Sequence, residues 1–288
     1  MRLMALFTFR EAWRKKVVLL AGLLTLAFLI LYGTGLHFIV GDIAYSTDHA
    51  AVSFFEMMEA ITLFSMGIYF AGFLVAGLAI LAAVGSIAGE IENGTLYPLM
   101  ARPLSRSDLL LGKYFGLAAM LVTYAAFFFL ALAGLIYWQT GLILPGLAPA
   151  LGLFILKPLV LLSITMLGTT RLPTLGNGVL AFGLYALAVA GGMMEQIGVL
   201  MGSPAAVYSG VIASFILPAD AVYRMVVATV IDRLPIGSGQ DTPFFNPQMI
   251  LGPFGSQFTP SDWMLVYTFV YIVILLAIAV RTFNRRDI

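Results

Sequence analysis

Long stretches without a charged residue alternate with short charged segments along this chain. A helix needs about 20 apolar residues to cross the roughly 30 Å hydrocarbon core of a bilayer. Uncharged runs of about that length recur along the sequence, and only one of them contains a charge, Lys157. The pattern predicts six membrane-spanning helices, at residues 17–40, 63–88, 114–137, 147–167, 178–194 and 264–280.

The composition supports this interpretation. Hydrophobic residues make up 61% of the 288 positions, whereas an average soluble domain has roughly 45–50%. We therefore predict an all-α membrane protein with a single transmembrane domain, residues 1–288. The absence of cysteine excludes disulfides, thiolate metal ligands and cysteine nucleophiles.

The basic residues predict how the chain is oriented. If the N-terminus is cytoplasmic, all of the 15 Lys and Arg residues except Lys157, Arg224 and Arg233 fall in or next to cytoplasmic segments. Basic residues concentrate on the cytoplasmic side of membrane proteins, so both termini are predicted to be cytoplasmic. Residues 1–16 mix bases with apolar side chains. They fit either a helix lying at the inner membrane interface or a basic flank that orients the first span.

The segment 195–262 is the hardest to place. Residues 199–217 within it are apolar enough for a seventh span. A seventh span would, however, put the C-terminal arginines outside, against the preference of basic residues for the cytoplasmic side. We therefore predict that 195–262 is an extracytoplasmic segment, with helices that lie against the membrane or dip into it.

The chain lacks the motifs of several enzyme classes. The Gly112-Lys113 pair is followed by tyrosine and has no upstream glycine, so it is not a nucleotide-binding phosphate loop. With two histidines, both at or beyond the outer end of the first span, haem ligation and intramembrane serine proteolysis are disfavoured. We predict no catalytic, cofactor or metal site. Lys157 is either part of a translocation path or a lysine whose amine reaches an interface or a neighbouring carbonyl.

A charged loop, residues 89–113, connects the second and third predicted spans. Glu90 and Glu92 fall in the last turn of a helix, where the helix macrodipole disfavours acidic side chains. A cation is therefore expected beside them. Arg102 and Arg106 of the same loop are candidates, and so is a partner protein.

Local signals predict a short helix held crosswise within this loop. The preceding helix ends at Gly94, Thr95 caps the short helix and Pro103 ends it. Ser105 and Asp108 then form a capping box that begins the next helix. The short helix exposes an apolar cluster, which is typical of a docking site. The cluster consists of Leu96, Tyr97, Leu99 and Met100.

The loop resembles that of the permease subunits of type 2 ABC transporters, which are mostly exporters. The matching residues are Glu90, Glu92, Gly94, Thr95, Pro103, Leu104, Ser105, Arg106, Gly112 and Lys113. Two further stretches look similar, PADAVYR in the last predicted external loop and the ending RTFNRRDI. In the first of these, the motif residues are Pro218, Asp220, Tyr223 and Arg224.

The resemblance implies a function as well as a fold. The short helix would be a coupling helix that docks on a separate ABC ATP-binding subunit. Two such subunits, which bind ATP and Mg, would work with this chain and a second permease copy or homologue. The resemblance implies a multi-pass protein of the plasma (cytoplasmic) membrane of a prokaryote, with membrane lipid and no nucleic acid among its partners.

Two other functions remain open at this point. The chain could be an ATP-independent membrane transporter or channel, or a membrane scaffold or assembly factor. The sequence does not identify a transported substrate.

Overall fold

The computed structural model describes residues 2–43, 49–94, 105–233, 255 and 260–286. This part of the chain contains helices and no strand. The helices are α1 (Arg2–Arg14), α2 (Lys16–Ile43), α3 (His49–Ala83), α4 (Ala88–Glu92), α5 (Arg106–Thr140), α6 (Leu147–Thr169), α7 (Thr174–Met201), α8 (Pro204–Ile216), α9 (Ala219–Ile231) and α10 (Trp263–Asn284).

Six stretches of the described chain are long and apolar enough to span a membrane, which confirms the six predicted spans. They are α2, α3 continued by α4, α5, α6, α7 and α10. The helices extend beyond the uncharged runs because a helix continues past the hydrocarbon core. Helix α7, for example, runs on through Glu195 to Met201, so the segment predicted as extracytoplasmic begins inside a spanning helix.

Hydrogen bonds between helices fix their relative directions. The Tyr124 hydroxyl donates to the carbonyl of Ala21 at 3.3 Å, and the Gln139 amide donates to the carbonyl of Gly33 at 2.6 Å. Residue numbers rise in both helices from the first pair to the second, so α2 and α5 run parallel.

The last helix ends beside the start of α5. The Ser107 hydroxyl and the Asn284 side chain are hydrogen-bonded at 3.0 Å, and Arg286 donates to the carbonyl of Thr170 at 2.7 Å. One end of the bundle therefore holds the starts of α2, α5 and α7 and the ends of α4, α6 and α10. We call this the basic end, because Arg106, Arg171, Arg281, Arg285 and Arg286 lie there.

Helices α3 and α6 form the centre of the bundle. The most apolar window of each is 61% buried, whereas those of α2 and α10 are 11% buried. Aromatic rings join the centre to α5: Phe129 lies 5.6 Å from both Phe64 and Phe154, measured between ring centroids. The outer helices leave most of their apolar surface for lipid, as expected of membrane spans.

Helices α8 and α9 form a re-entrant hairpin. Helix α8 packs against α7, and α9 follows after a bend of 106°. The far end of α9 returns to the start of α6, where a Cβ on Gly146 would lie 2.7 Å from the carbonyl oxygen of Thr229. Since α6 begins opposite the basic end, the hairpin enters the bundle and leaves it on the same side.

Helix α9 lies inside the bundle, which corrects one prediction. Pro218 to Arg224 were predicted to lie in the last external loop, because a seventh span would put the C-terminal arginines outside. In the structure every residue of α9 except Thr229 is buried, packed against α6, α7 and α3. The charges are tolerated there because they pair with one another, as described below.

Candidate functional site

Helix α4 ends and α5 begins at the basic end, so the loop between them starts and finishes there. Residues 95–104 lie outside the described residues, and so do the predicted short helix and several predicted site residues. These are Thr95, Leu96, Tyr97, Leu99, Met100, Arg102 and Pro103. The structure does describe the two stretches that hold the loop, residues 88–94 and 105–113, which we call the loop base.

The entry to the loop is capped by another span. Helix α4 has no side-chain cap of its own at Ile87. Instead, the backbone N–H groups of Ile87 and Ala88 point at the Thr169 hydroxyl oxygen, at 3.4 and 2.9 Å. Thr169 is fully buried at the end of α6. The position of α4 is therefore fixed by α6, an interaction that local sequence signals do not reveal.

The predicted end of this helix is confirmed. Helix α4 finishes at Glu92, with Asn93 as its C-cap, and Gly94 adopts a φ of +68°. Such a left-handed conformation is readily reached by glycine, which is why an Asn-Gly pair favours a helix end.

An ion pair joins the two sides of the loop base. Lys113 Nζ lies 2.5 Å from Glu90 Oε1, and the same ammonium donates to the backbone carbonyl of Ser86. The Lys113 side chain is 7% exposed, so water screens this pair less than a surface pair. Lys113 is a compensating cation for Glu90 that the sequence analysis did not propose. The signal was available, since both residues belong to the motif that bounds the loop.

Glu92 is stabilised by the start of a different helix. Its two carboxylate oxygens accept hydrogen bonds from the backbone N–H and the hydroxyl of Thr174, each at 2.8 Å. Thr174 is the first residue of α7, whose N-cap position is Pro173 and lacks a side-chain cap. The positive end of the α7 macrodipole thus receives the carboxylate that the end of α4 disfavours.

A buried asparagine ties three spans together beside the loop base. The Asn177 side-chain amide, on α7, donates to the carbonyls of Val84 and Thr165 at 3.2 and 3.0 Å. Gly168 makes room for it, because a Cβ there would lie 1.9 Å from Asn177 Oδ1. The end of α3, α6 and α7 are therefore fixed to one another at this level.

The return side of the loop is held by α10. The predicted capping box is confirmed: Ser105 accepts from the Asp108 backbone N–H at 3.0 Å and donates to its carboxylate at 2.7 Å. Arg106 donates to the backbone carbonyl of Arg286 at 2.5 Å. Taken together, hydrogen bonds join the loop base to α6, α7 and the end of α10, and its two sides continue into α3 and α5.

A set of charged side chains, which we call the charge cluster, lies in the interior of the bundle. It consists of Lys157, Glu195, Asp220 and Arg224, all of them buried. Arg224 Nη1 lies 2.7 Å from Glu195 Oε1, and Arg224 Nε lies 3.3 Å from Asp220 Oδ2. Arg224 also donates to the Ser214 hydroxyl at 3.0 Å. The hairpin α8–α9 is thereby fastened to α7.

Lys157 lies near the midpoint of α6 and is 4% exposed. Its ammonium lies 5.4 Å from the ring centroid of Tyr185 and 5.6 Å from that of Tyr223. A Cβ on Gly72 would lie 2.8 Å from this nitrogen, so the glycine makes room for it. The amine remains in the interior rather than reaching an interface. Its role in a translocation path stays a prediction.

The PADAVYR motif converges on the charge cluster. Pro218 stands at the bend before α9, and Asp220 pairs with Arg224 one helical turn away. The Tyr223 hydroxyl donates to the carbonyl of Ser65 on α3, at 3.2 Å. The sequence indicates this motif but not Glu195, because a single glutamate at the end of an apolar run looks like a span boundary.

Comparison with known proteins identifies the family. The model of one family, described as ABC-2 family transporter protein, matches residues 5–288. No curated protein matches the chain significantly. The family match covers nearly the whole chain, and the described residues include six helices able to span a bilayer. The protein therefore belongs to the ABC-2 transporter family and is an integral membrane protein of the permease type.

Proposed function

We propose that this permease subunit receives energy from separate ATP-binding subunits through the loop 89–113 and exports a solute. In this proposal two ATPases bind ATP and Mg and work with two permeases, either two copies of this chain or this chain and a homologue. The chain itself performs no bond chemistry. Its location is the plasma (cytoplasmic) membrane of a prokaryote.

The observation that carries the proposal is the loop base. A loop that only connected two spans would need no buried ion pair, and isolated surface pairs contribute little to stability. Here the Glu90–Lys113 ion pair joins the two sides of the loop base, and hydrogen bonds to Thr169 and Thr174 attach the base to α6 and α7. Such a base would transmit a push on residues 95–104 to several spans at once, as energy coupling requires.

The charge distribution supports a cytoplasmic position for the basic end. Five arginines lie there, and basic residues concentrate on the cytoplasmic side of membrane proteins. The loop would then face the compartment where ATP-binding subunits are found, and the open end of the α8–α9 hairpin would face outward.

Cross-linking tests whether the loop docks on an ATPase. The chain has no cysteine, so a single introduced cysteine can be labelled without background. We expect Leu99→Cys, carrying a photoactivated cross-linker, to capture the copurified ATP-binding subunit. Arg233→Cys, exposed at the opposite end, is the matched control and should capture none. Equal capture at both positions, or none at Leu99, would contradict the docking role.

Charge reversal tests the coupling itself. In the reconstituted complex, we expect the double variant Glu92→Lys, Arg102→Glu still to hydrolyse ATP but to lose the nucleotide-dependent movement of the spans. Spin labels on α3 and α7 would report that movement. Glu11→Lys, on the exposed face of α1, serves as the control. Intact coupling in the double variant would refute the role of the loop.

The alternatives predict different results in the same vesicles. Solute flux by the chain alone, without nucleotide or ATPase, would establish an ATP-independent transporter or channel. Bound partners without any nucleotide-dependent movement would establish a scaffold.

A further inference from the structure

A basic cavity opens at the basic end, between the last turns of α10 and the turn that joins α6 to α7. Its volume is about 550 Å³. The described residues around it are mostly arginines and include no acid: they are Arg171, Arg281, Arg285, Arg286, Thr170, Thr282 and Ile278. Several positive charges around one concave space favour an anion.

Within the part of the chain that the structure describes, the arginines of this cavity lack acidic partners. Among the described residues, no carboxylate lies within ion-pair distance of Arg171, Arg281 or Arg285. Arg281 and Arg285 are four residues apart on α10, where like charges repel one another. Arg286, in contrast, is occupied by the carbonyl of Thr170. Three guanidinium groups are thus available to a ligand, and guanidinium groups bind phosphate oxygens in a bidentate manner.

An apolar groove shares two of these arginines. It has a volume of about 530 Å³ and runs along α10 towards the middle of the bundle, on the side facing α5. Leu111, Leu276, Ala277 and Val280 line it, together with Arg281, Asn284 and Arg285 near the end of α10. A cationic cavity and an apolar groove that meet at Arg281 and Arg285 match a molecule that has an anionic head and a hydrocarbon chain.

We infer that this site binds an anionic phospholipid, with the phosphate headgroup between Arg281, Arg285 and Arg171 and an acyl chain in the groove beside Ala277. Basic pockets between membrane helices commonly bind anionic headgroups. The inference is independent of the proposed coupling to an ATPase.

Two simpler explanations account for less of the geometry. Arginines that only orient the last span need to lie near its end, but they need no common cavity and no groove. An acidic protein surface could neutralise the arginines, yet it would leave the groove between α5 and α10 unexplained. Ile278, 44% exposed beside the cavity, is also more suited to acyl chains than to a polar partner.

Lipid binding to the purified protein tests the inference. The probes are phosphatidylglycerol, phosphatidylcholine and the soluble glycerol 3-phosphate, measured by native mass spectrometry in detergent. We expect phosphatidylglycerol to bind about tenfold more tightly than the other two, because phosphatidylcholine brings a choline cation into the basic cavity and glycerol 3-phosphate has no acyl chain for the groove. Arg281→Gln combined with Arg285→Gln should weaken phosphatidylglycerol binding about twentyfold.

Two comparisons make the test specific. Arg10→Gln combined with Arg14→Gln removes two exposed arginines with the same spacing from α1, and should change binding less than about twofold. Ala277→Phe fills the groove with every charge intact, and should weaken phosphatidylglycerol binding while leaving that of glycerol 3-phosphate unchanged. If the double arginine variant does not fold, Arg285→Gln and Ala277→Phe supply the comparison.

Several outcomes would overturn the inference. Equal binding of phosphatidylglycerol and phosphatidylcholine would show that no anionic site exists. Equal binding of glycerol 3-phosphate would indicate a site for free phosphate compounds. Loss of ATPase association in the Arg281 and Arg285 double variant, with phosphatidylglycerol binding unchanged, would assign the arginines to a protein interface.

Discussion

Arg224 shows how a charged residue can be placed in the interior of a membrane domain. The side chain is 1% exposed and lies between two carboxylates, Glu195 on α7 and Asp220 on its own helix. An unpaired charge in such a position is costly, whereas a paired and hydrogen-bonded group is tolerated. Asp220 also lies close to α7, since a Cβ on Gly192 would be 1.7 Å from its carboxylate oxygen.

Removing Arg224 should destabilise the protein. Arg224→Met leaves two buried carboxylates without their cation, and we expect a loss of about 3–5 kcal/mol in the free energy of unfolding. Thermal unfolding in detergent measures the change. Arg233→Met, which removes an exposed arginine just after the same helix, is the control and should have little effect.

A compensating variant separates charge from packing. If the unpaired carboxylates cause the loss, Arg224→Met combined with Glu195→Gln and Asp220→Asn should recover part of it. An Arg224→Met protein that unfolds at the same temperature as Arg233→Met would show that the cluster does not hold the hairpin.

Thr169 illustrates how one hydroxyl positions an element of a different span. It accepts from the N–H groups that α4 cannot satisfy by itself. The neighbouring Thr170 is equally buried, but its hydroxyl donates to the Leu167 carbonyl in its own turn. The two threonines therefore differ in role although they are adjacent and identical in type.

Replacing Thr169 with valine should loosen the loop base. Thr169→Val keeps the shape of the side chain and removes the acceptor, at an expected local cost of about 1–2 kcal/mol. Hydrogen exchange at residues 87–92 should become about tenfold faster. Thr170→Val should leave this exchange nearly unchanged, and similar acceleration in both variants would contradict the proposed cap.

At the scale of elements, glycines determine how closely α7 and α8 approach each other. A Cβ on Gly191 would lie 2.2 Å from the Cβ of Ala213, and one on Gly210 would lie 2.4 Å from that of Glu195. Small residues allow membrane helices to pack with their backbones close together. The hairpin can therefore hold Glu195 within reach of Arg224.

Enlarging Gly191 should separate the two helices. We expect Gly191→Ala to destabilise the protein by about 1–3 kcal/mol, because the added methyl overlaps a packed neighbour. Gly183→Ala, on the same helix with open space around it, should be neutral or slightly stabilising. Thermal unfolding of the two variants tests this, and equal stability would indicate that the helices separate without cost.

At the scale of the whole molecule, the directions of the helices place the two ends of the bundle on opposite sides of a membrane. Arg171 lies at the basic end and Arg233 beside the start of α6, at the other end. Both are exposed, and the chain has no native cysteine that would interfere.

Labelling of intact cells tests the proposed orientation. A membrane-impermeant maleimide should react with Arg233→Cys in intact cells, and with Arg171→Cys only after the membrane is permeabilised. The physical reason is the preference of basic segments for the cytoplasmic side. The reverse pattern would place the basic end, and the loop with it, outside.

Much of the architecture was predictable from the sequence. All six spans were predictable, because the length of an apolar run is a local property of the sequence. A run that matches the thickness of the bilayer core identifies a spanning helix. The stop at Gly94 and the capping box at Ser105 were also predictable, since each depends on a few neighbouring residues. The sequence motifs likewise identified the family that the whole-chain comparison supports.

The tertiary structure alone decided where the polar residues of this chain lie. The partners of Glu92 and Arg224 are 82 and 29 residues away along the chain, separations at which local patterns carry no information. For the same reason the PADAVYR segment looked external, although its charges are neutralised inside the bundle. Apolar length determines which segments enter a membrane, but pairing between distant residues determines which polar groups can accompany them.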